Sequence, residues 1–172
     1  RSTLLWDTPY DVLSPAQRLN YFSERQHIHF FPVLDREMAE KAFIDDVLDN
    51  RFNFNGETFL LTNPINWLCN PSLDIEWHIL LHKFYYAPGL GKAWLETKDR
   101  RYLEKWIELI TSWMEQTPID FIAPDVTGRR IQNWIYSWHY FVASNHTESI
   151  DPQFHERLLD SIQRQVNYLC TH

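Results

Sequence analysis

The chain has 172 residues, 44% of them hydrophobic, which is enough for one domain with a packed core and too apolar for a disordered segment. With 16 Lys plus Arg against 23 Asp plus Glu, its formal charge of -7 argues against a global attraction to nucleic acid or anionic lipid, so a polyanionic ligand requires a locally basic groove. No apolar run approaches the roughly 20 residues of a membrane span, and RSTLLWDTPYDV at the start lacks the basic end and apolar core of an export signal.

Ser14-Pro15 places an N-cap residue before a proline at the first helical position, and AQRLNYFSERQHIHF continues that helix to about Phe30, stopping near Pro32. Asp35 caps a second helix over REMAEKAFIDDVLDN, in which Met38, Ala42, Phe43 and Val47 recur at near-helical spacing, and it ends around Asn50. From Arg51 to Cys69 the turn-forming Asn55-Gly56 separates short aromatic or apolar runs, which reads as a hairpin or an extended loop. Asp74 opens a helix through DIEWHILLHKFYY, which Pro88, Gly89 and Gly91 kink or interrupt before KAWLETKD continues it.

The clearest helix runs from Asp99 to about Met114, because Tyr102, Leu103, Trp106, Ile107, Ile110, Trp113 and Met114 form one apolar stripe. After a Pro-containing loop from Thr117 to Asp125, GRRIQNWIYSWHYFVAS forms another helix with Ile131, Ile135, Trp138 and Val142 on one side. Asp151-Pro152 then starts a final helix that places Phe154, Leu158, Ile162, Val166 and Leu169 on one face. Long helices, short connections and little strand signal indicate an all-α fold of antiparallel helix pairs. The two cysteines, Cys69 and Cys170, lack metal-ligand or redox spacing and read as buried thiols.

The chain carries eight Trp, eight Tyr and eleven Phe, 16% of its residues. Flat rings stack on the C–H faces of sugars, although most of these residues should simply fill the core. His78 and His82 stand four apart on a helix, a spacing that can grip zinc, but HILLH lacks the glutamate of zinc proteases and offers no third ligand, so no metal is assigned. The same helix carries Trp77, Lys83, Tyr85 and Tyr86, so a ring could stack on an acidic sugar while Lys83 and His82 donate to its carboxylate or sulfate. A solvated helix face with core aromatics accounts for the same residues. Arg129 and Arg130 open the next helix, and Arg130 shares a face with Trp134, giving a guanidinium and an indole for one anion-and-sugar contact near a helix N-terminus. Arg stacking on Trp as a structural contact is the alternative. Asn145-His146-Thr147 matches a glycosylation sequon, and no phosphate loop, nucleophile elbow or zinc-cysteine motif is present in the sequence.

In order, FNFNGE, INWLCNP, EWHILLHKFYY, LGKAWLETKDRRY, ELITSWMEQTP and GRRIQNW resemble the N-terminal region of heparinase II/III-type polysaccharide lyases, over roughly Phe52 to Trp138. The resemblance rests on a Trp-to-His-Lys helix, a turn carrying Thr97, Asp99 and Tyr102, and an Arg-x-x-x-Trp helix. Lys83 stands where that family often has arginine, which weakens the case for bidentate recognition at this position.

The resemblance implies an incomplete (α/α) toroid, with residues 1–172 as the N-terminal part of a helical domain that the rest of the toroid and a β-sandwich complete. It implies cleavage of a uronic-acid-containing polysaccharide, of heparin or heparan sulfate type or alginate, by β-elimination, without a metal or organic cofactor. Trp77, His82, Lys83, Arg130 and Trp134 carry over as substrate-binding residues. The family's catalytic Tyr and Asn-His motif are expected beyond residue 172, so the catalytic residues are not assigned and this segment alone is expected to be inactive. The implied partners are the acidic polysaccharide and the remainder of the parent chain, with neither nucleic acid nor a membrane, in the periplasm or outside the cell. A non-catalytic helical scaffold or protein-interaction module, whose aromatic stripes face other helices, is the alternative.

Overall fold

The computed structural model describes residues 10–23, 33–143 and 150–172, which form seven α-helices, short 3-10 turns and one two-stranded hairpin. Helix α1, Pro15–Ser23, begins with a reciprocal cap: the Gln17 amide N–H donates to Ser14 Oγ at 3.3 Å, and the Ser14 N–H donates to Gln17 Oε1 at 2.8 Å. The predicted extension of this helix to Phe30, like the sequon at Asn145, lies outside the described residues.

The second predicted helix is split. Asp35 Oδ1 accepts from the Met38 N–H at 3.0 Å and so caps a 3-10 turn, Glu37–Ala39, after which Glu40 turns extended (φ -65°, ψ 141°) and α2 runs over Lys41–Leu48. The hairpin forms as read, with β1 Arg51–Phe54 and β2 Glu57–Leu60 antiparallel, and with Asn55 and Gly56 at φ 54° and 81°, the two left-handed positions of a tight hairpin turn. Phe52 and Phe54 point into the core from its inner face.

Asp74 caps α3, Ile75–Lys83, by accepting from the Glu76 N–H, and α4 follows at Tyr86–Thr97. The interruption falls at Phe84 rather than at Pro88, Gly89 or Gly91, all of which lie inside α4. Pro88 has no N–H for the carbonyl four residues earlier, and its ring crowds that carbonyl, which belongs to Phe84. The chain therefore breaks there, with Phe84 in the left-handed region at φ 58° although it is a bulky, fully buried residue. The glycines serve close packing instead. A Cβ on Gly91 would lie 2.6 Å from Tyr140 Cβ, and one on Gly89 would lie 2.7 Å from both Ile44 Cδ1 and the Met38 carbonyl oxygen.

Only Lys98 and Asp99 separate α4 from α5, Arg100–Gln116, a connection short enough to fold the two helices back as an antiparallel pair. Helix α6, Pro124–Phe141, starts earlier than predicted because Pro124 takes the first turn, where its missing N–H costs nothing. Arg129 and Arg130 consequently sit in the second turn and not at the N-terminus, where the helix dipole no longer favours an anion. Helix α7, Pro152–Thr171, is capped by Asp151 and buries Phe154, His155, Leu158, Ser161 and Gln165. Its buried face is thus rotated from the predicted one, and Val166 is exposed.

The core is one aromatic cluster in which Trp67, Trp77, Trp106 and Trp134 are all nearly inaccessible. Both cysteines are exposed, correcting the reading of buried thiols. In the loop before α3 the inward positions are taken by Ile65 and Trp67, leaving Cys69 outside, and Cys170 lies on the outer side of the last turn of α7. Among the described residues no helix is long and apolar enough to cross a membrane.

The close contacts at Gly89 predict that Gly89→Ala destabilises the fold by roughly 1–3 kcal/mol through overpacking, outweighing the ~1 kcal/mol that alanine gains in helix propensity. A lower urea-unfolding midpoint is the expected result, and a higher one would show that the α2–α4 contact yields.

Candidate functional site

Ending α3 inside the core leaves its last carbonyls without intrahelical partners, and the final three are met by side chains. The Tyr86 hydroxyl donates to the Leu81 carbonyl at 2.7 Å, Arg130 Nη1 to the His82 carbonyl at 3.3 Å, and Asn133 Nδ2 to the Lys83 carbonyl at 2.8 Å. Two of these donors come from α6, whose residues 130 and 133 share one face at i, i+3 spacing.

On the preceding turn, the Nε2 atoms of His78 and His82 both lie 2.8 Å from the Trp67 carbonyl oxygen and 3.2 Å from each other. The Trp113 indole N–H, which can only donate, is 3.1 Å from His82 Nδ1. His82 therefore holds its single proton on Nε2 and gives it to Trp67, using both ring nitrogens within the protein. Phe121 closes over both imidazoles, with ring centroids 5.7 Å from His78 and 5.3 Å from His82. Burial, aided by His78 and the Arg130 charge, pushes His82 down to about 3 against the opposing pull of the Trp67 carbonyl. Burial also lowers His78.

Arg130 is 2% exposed, and its other partners are neutral: Nε donates to Gln165 Oε1 at 2.8 Å and Nη2 to Thr127 Oγ1 at 3.1 Å. Its guanidinium carbon lies 4.1 Å from the centroid of Trp113. Burial lowers it to about 9, so it remains charged at neutral pH. The compensation comes from the partial negative charge of the α3 C-terminus and from the Trp113 ring face, not from a carboxylate. Gln165 is held in turn, with Nε2 donating to Ser161 Oγ at 3.2 Å. Trp113, Ser161 and Gln165 form one wall of a small recess of about 70 Å³ that Thr117, Ile119 and Arg164 complete.

The structure thus brings His82, Lys83, Arg130 and Trp134 together at the α3–α6 contact. Trp134 is fully buried, edge-on to Phe84 and Trp113, and its pairing with Arg130 is indirect because the guanidinium stacks on Trp113. Trp77 stands apart in the hairpin interface, packed on Phe54 and Phe59 with its indole N–H donating to the Glu57 carbonyl at 3.0 Å. Lys83 alone of the five has a side chain that is not fully buried. Sequence reasoning missed Trp67, Trp113, Phe121, Asn133 and Gln165. Gln165 left a legible trace, because it lies seven residues from Leu158 on a helix and so occupies a core-facing position. The Trp67 backbone carbonyl left none.

The fold and this junction define a class: an all-α arc of an (α/α) toroid, with a buried aromatic and polar seam. The chain belongs to the heparinase II/III N-terminus family, whose model matches residues 13–172. A heparin-sulfate lyase from Bacteroides thetaiotaomicron is 24% identical over 113 residues, covering 61% of this chain and 16% of that protein. A crystal structure of the heparan sulfate lyase HepC from Pedobacter heparinus superposes with a TM-score of 0.77 at 21% identity, covering 92% of this chain and 28% of that one. A heparinase III structure with methylated lysines gives 0.76 at 17% identity, covering 91% and 29%. The chain therefore spans less than a third of the length of these relatives.

His155 shares one feature with His82, since its Nε2 accepts from an indole N–H, that of Trp138 at 3.0 Å, and burial pushes it down to about 4. Both histidines are neutral when folded and take up a proton near 6.5 when unfolded, so below that pH the unfolded chain binds more protons. Stability is full above about pH 6.5 and falls as the pH drops toward the folded values. Between pH 7 and pH 5 each histidine is expected to contribute a loss of about 2 kcal/mol, read from urea unfolding at the two pH values. A pH-independent midpoint across this interval would rule out neutral burial. Arg130→Lys keeps the charge but loses the fork that serves three acceptors, and it is expected to cost roughly 2–4 kcal/mol in the same assay. An unchanged midpoint would mean that the junction does not need a guanidinium.

Proposed function

We propose that this chain is the N-terminal part of the substrate-cleft domain of a polysaccharide lyase that cleaves a uronic-acid-containing polymer, of heparin or heparan sulfate type or alginate, by β-elimination. The observation that carries this reading is the agreement in fold along nearly the whole chain with a protein named as a heparan sulfate lyase and another named as a heparinase III. In such a reaction a base removes the proton on C5 beside the uronate carboxylate, the C4–O bond breaks, a C4–C5 double bond forms, and the departing oxygen takes a proton. The carboxylate must be neutralised for that weakly acidic proton to leave. Residues that perform these steps are not assigned to this segment.

The segment's own contribution is a preformed wall. Of the five substrate-binding residues expected from the resemblance, Lys83 is proposed to meet the acidic polymer directly. Arg130 and His82 are proposed to hold the end of α3 from within, with Trp77 and Trp134 as the packing that sets their positions. Burial of those four favours a scaffolding role for this part of the chain, which is compatible with a lyase whose chemistry is supplied elsewhere in the protein. Periplasmic or secreted placement belongs to the same proposal.

The test is the complete protein that carries this chain, incubated with heparan sulfate, heparin and alginate. A rise in ultraviolet absorbance from the unsaturated uronate is expected with at least one of them. Chain shortening without that chromophore would indicate hydrolysis, and no cleavage of any of the three would leave the scaffold reading.

A further inference from the structure

Helix α6 has a second charged face. Successive residues on an α-helix are turned by about 100°, so Arg129 points away from the junction that buries Arg130. It lines an open groove of about 240 Å³ with Asp35, Tyr85, Gln132, Asn133 and Tyr136.

The array in this groove is organised. Arg129 Nη1 donates to Gln132 Oε1 at 2.7 Å, and Gln132 Nε2 donates to the Tyr136 hydroxyl at 2.9 Å, so the three side chains are linked along α6. The Arg129 guanidinium lies 5.8 Å from the Tyr85 ring centroid. It is exposed and makes no ion pair among the described residues, unlike Arg18, Arg101 and Arg164, which each meet a carboxylate. Asn133 forms the floor and is pinned by its bond to the Lys83 carbonyl. The Asp35 carboxylate already accepts from the Met38 N–H, which leaves it able to accept a hydroxyl at the rim.

From this arrangement we infer that the Tyr85–Arg129–Tyr136 groove binds one acidic sugar residue, its carboxylate or sulfate on Arg129 and its C–H face against a tyrosine ring. A guanidinium fork suits a planar or tetrahedral oxyanion, the rings suit the apolar face of a pyranose, and the amides suit its hydroxyls. The inference rests on the saccharide reading above and names a contact surface that the buried Arg130 and Trp134 cannot provide. Because the linked side chains are already ordered, little conformational freedom is lost on binding.

The test uses the complete protein and a sulfated heparan oligosaccharide. Arg129→Ala is expected to weaken its affinity, measured by calorimetry, about tenfold, and to raise KM by a similar factor with kcat nearly unchanged. Tyr136→Ala is expected to weaken it severalfold, while Arg157→Ala, which removes an exposed charge elsewhere, leaves it unchanged. Thermal unfolding of Arg129→Ala should match that of the parent, since the side chain is exposed.

Unaltered affinity in Arg129→Ala overturns the inference, as does an equal loss for a neutral oligosaccharide. If the protein binds the oligosaccharide through Arg129 but forms no unsaturated uronate, the groove stands and the lyase reading falls. Turnover with an Arg129→Ala enzyme whose KM is intact has the reverse meaning.

Discussion

The end of α3 at Phe84 is the constraint from which the rest of the structure follows. Pro88 disfavours a continuous helix through this point, so the carbonyls of Leu81 and His82 are left open in the buried interior and that of Lys83 at its edge. A buried carbonyl without a partner costs on the order of 1–3 kcal/mol, and three of them would consume a large share of a domain's net stability. Tyr86, Arg130 and Asn133 meet them one by one. Arg130 brings a full charge into the interior, which its place at the negative end of α3 and over the Trp113 face makes tolerable. Gln165 and Thr127 then occupy the remaining edges of the fork, drawing α7 and the first turns of α6 to the same point.

The same logic accounts for the histidine pair. His78 and His82 have the spacing of metal ligands, but both Nε2 atoms are turned to the Trp67 carbonyl and His82 Nδ1 is occupied by Trp113. The pair thereby ties the loop before α3 to its helix. The loop is held from the opposite side as well, since Gln116 brackets it by accepting from the Trp67 N–H at 3.3 Å and donating to the Ile65 carbonyl at 2.8 Å, while the Trp67 indole donates to Ser112 Oγ at 2.9 Å. Two helices and a loop without regular structure are joined in this way by side chains reaching backbone groups, which is why the loop can carry a fully buried tryptophan.

Much of the fold was legible because periodicity and caps are local. Asp74, Asp99 and Asp151 each cap the helix they were read to begin, and Asn55-Gly56 turns the hairpin as its residue types require. Errors arose where a residue type has two uses. Gly89 and Gly91 signal interruption in a sequence but here permit α4 to touch Met38 and Tyr140, and Pro88 acts on the carbonyl four residues earlier instead of at its own position. Pro124 reads as loop in the sequence, yet a proline is at home in a first turn and begins α6. Of the candidate site, the family-derived residues could be located by pattern, but their burial could not. An Arg-x-x-x-Trp spacing specifies a shared helix face and says nothing about whether that face meets solvent or another helix.

The adjacent arginines of α6 make that point physically. They differ by one position, hence by about 100° around the helix, and this places one in a dry interior with neutral donors and acceptors and the other on an open groove beside two tyrosines. The arrangement is coupled, because Asn133 belongs to both sides: its amide is bonded to the Lys83 carbonyl of the junction, and its side chain floors the groove. A change that loosens the end of α3 therefore moves the groove floor, so the rigidity of the buried seam sets the accuracy of the exposed surface. That dependence supplies a reason for a guanidinium without a carboxylate partner to sit in this core. An apolar residue in its place would leave the His82 carbonyl unmet, and a carboxylate partner would cancel the attraction that holds α6 against the helix end.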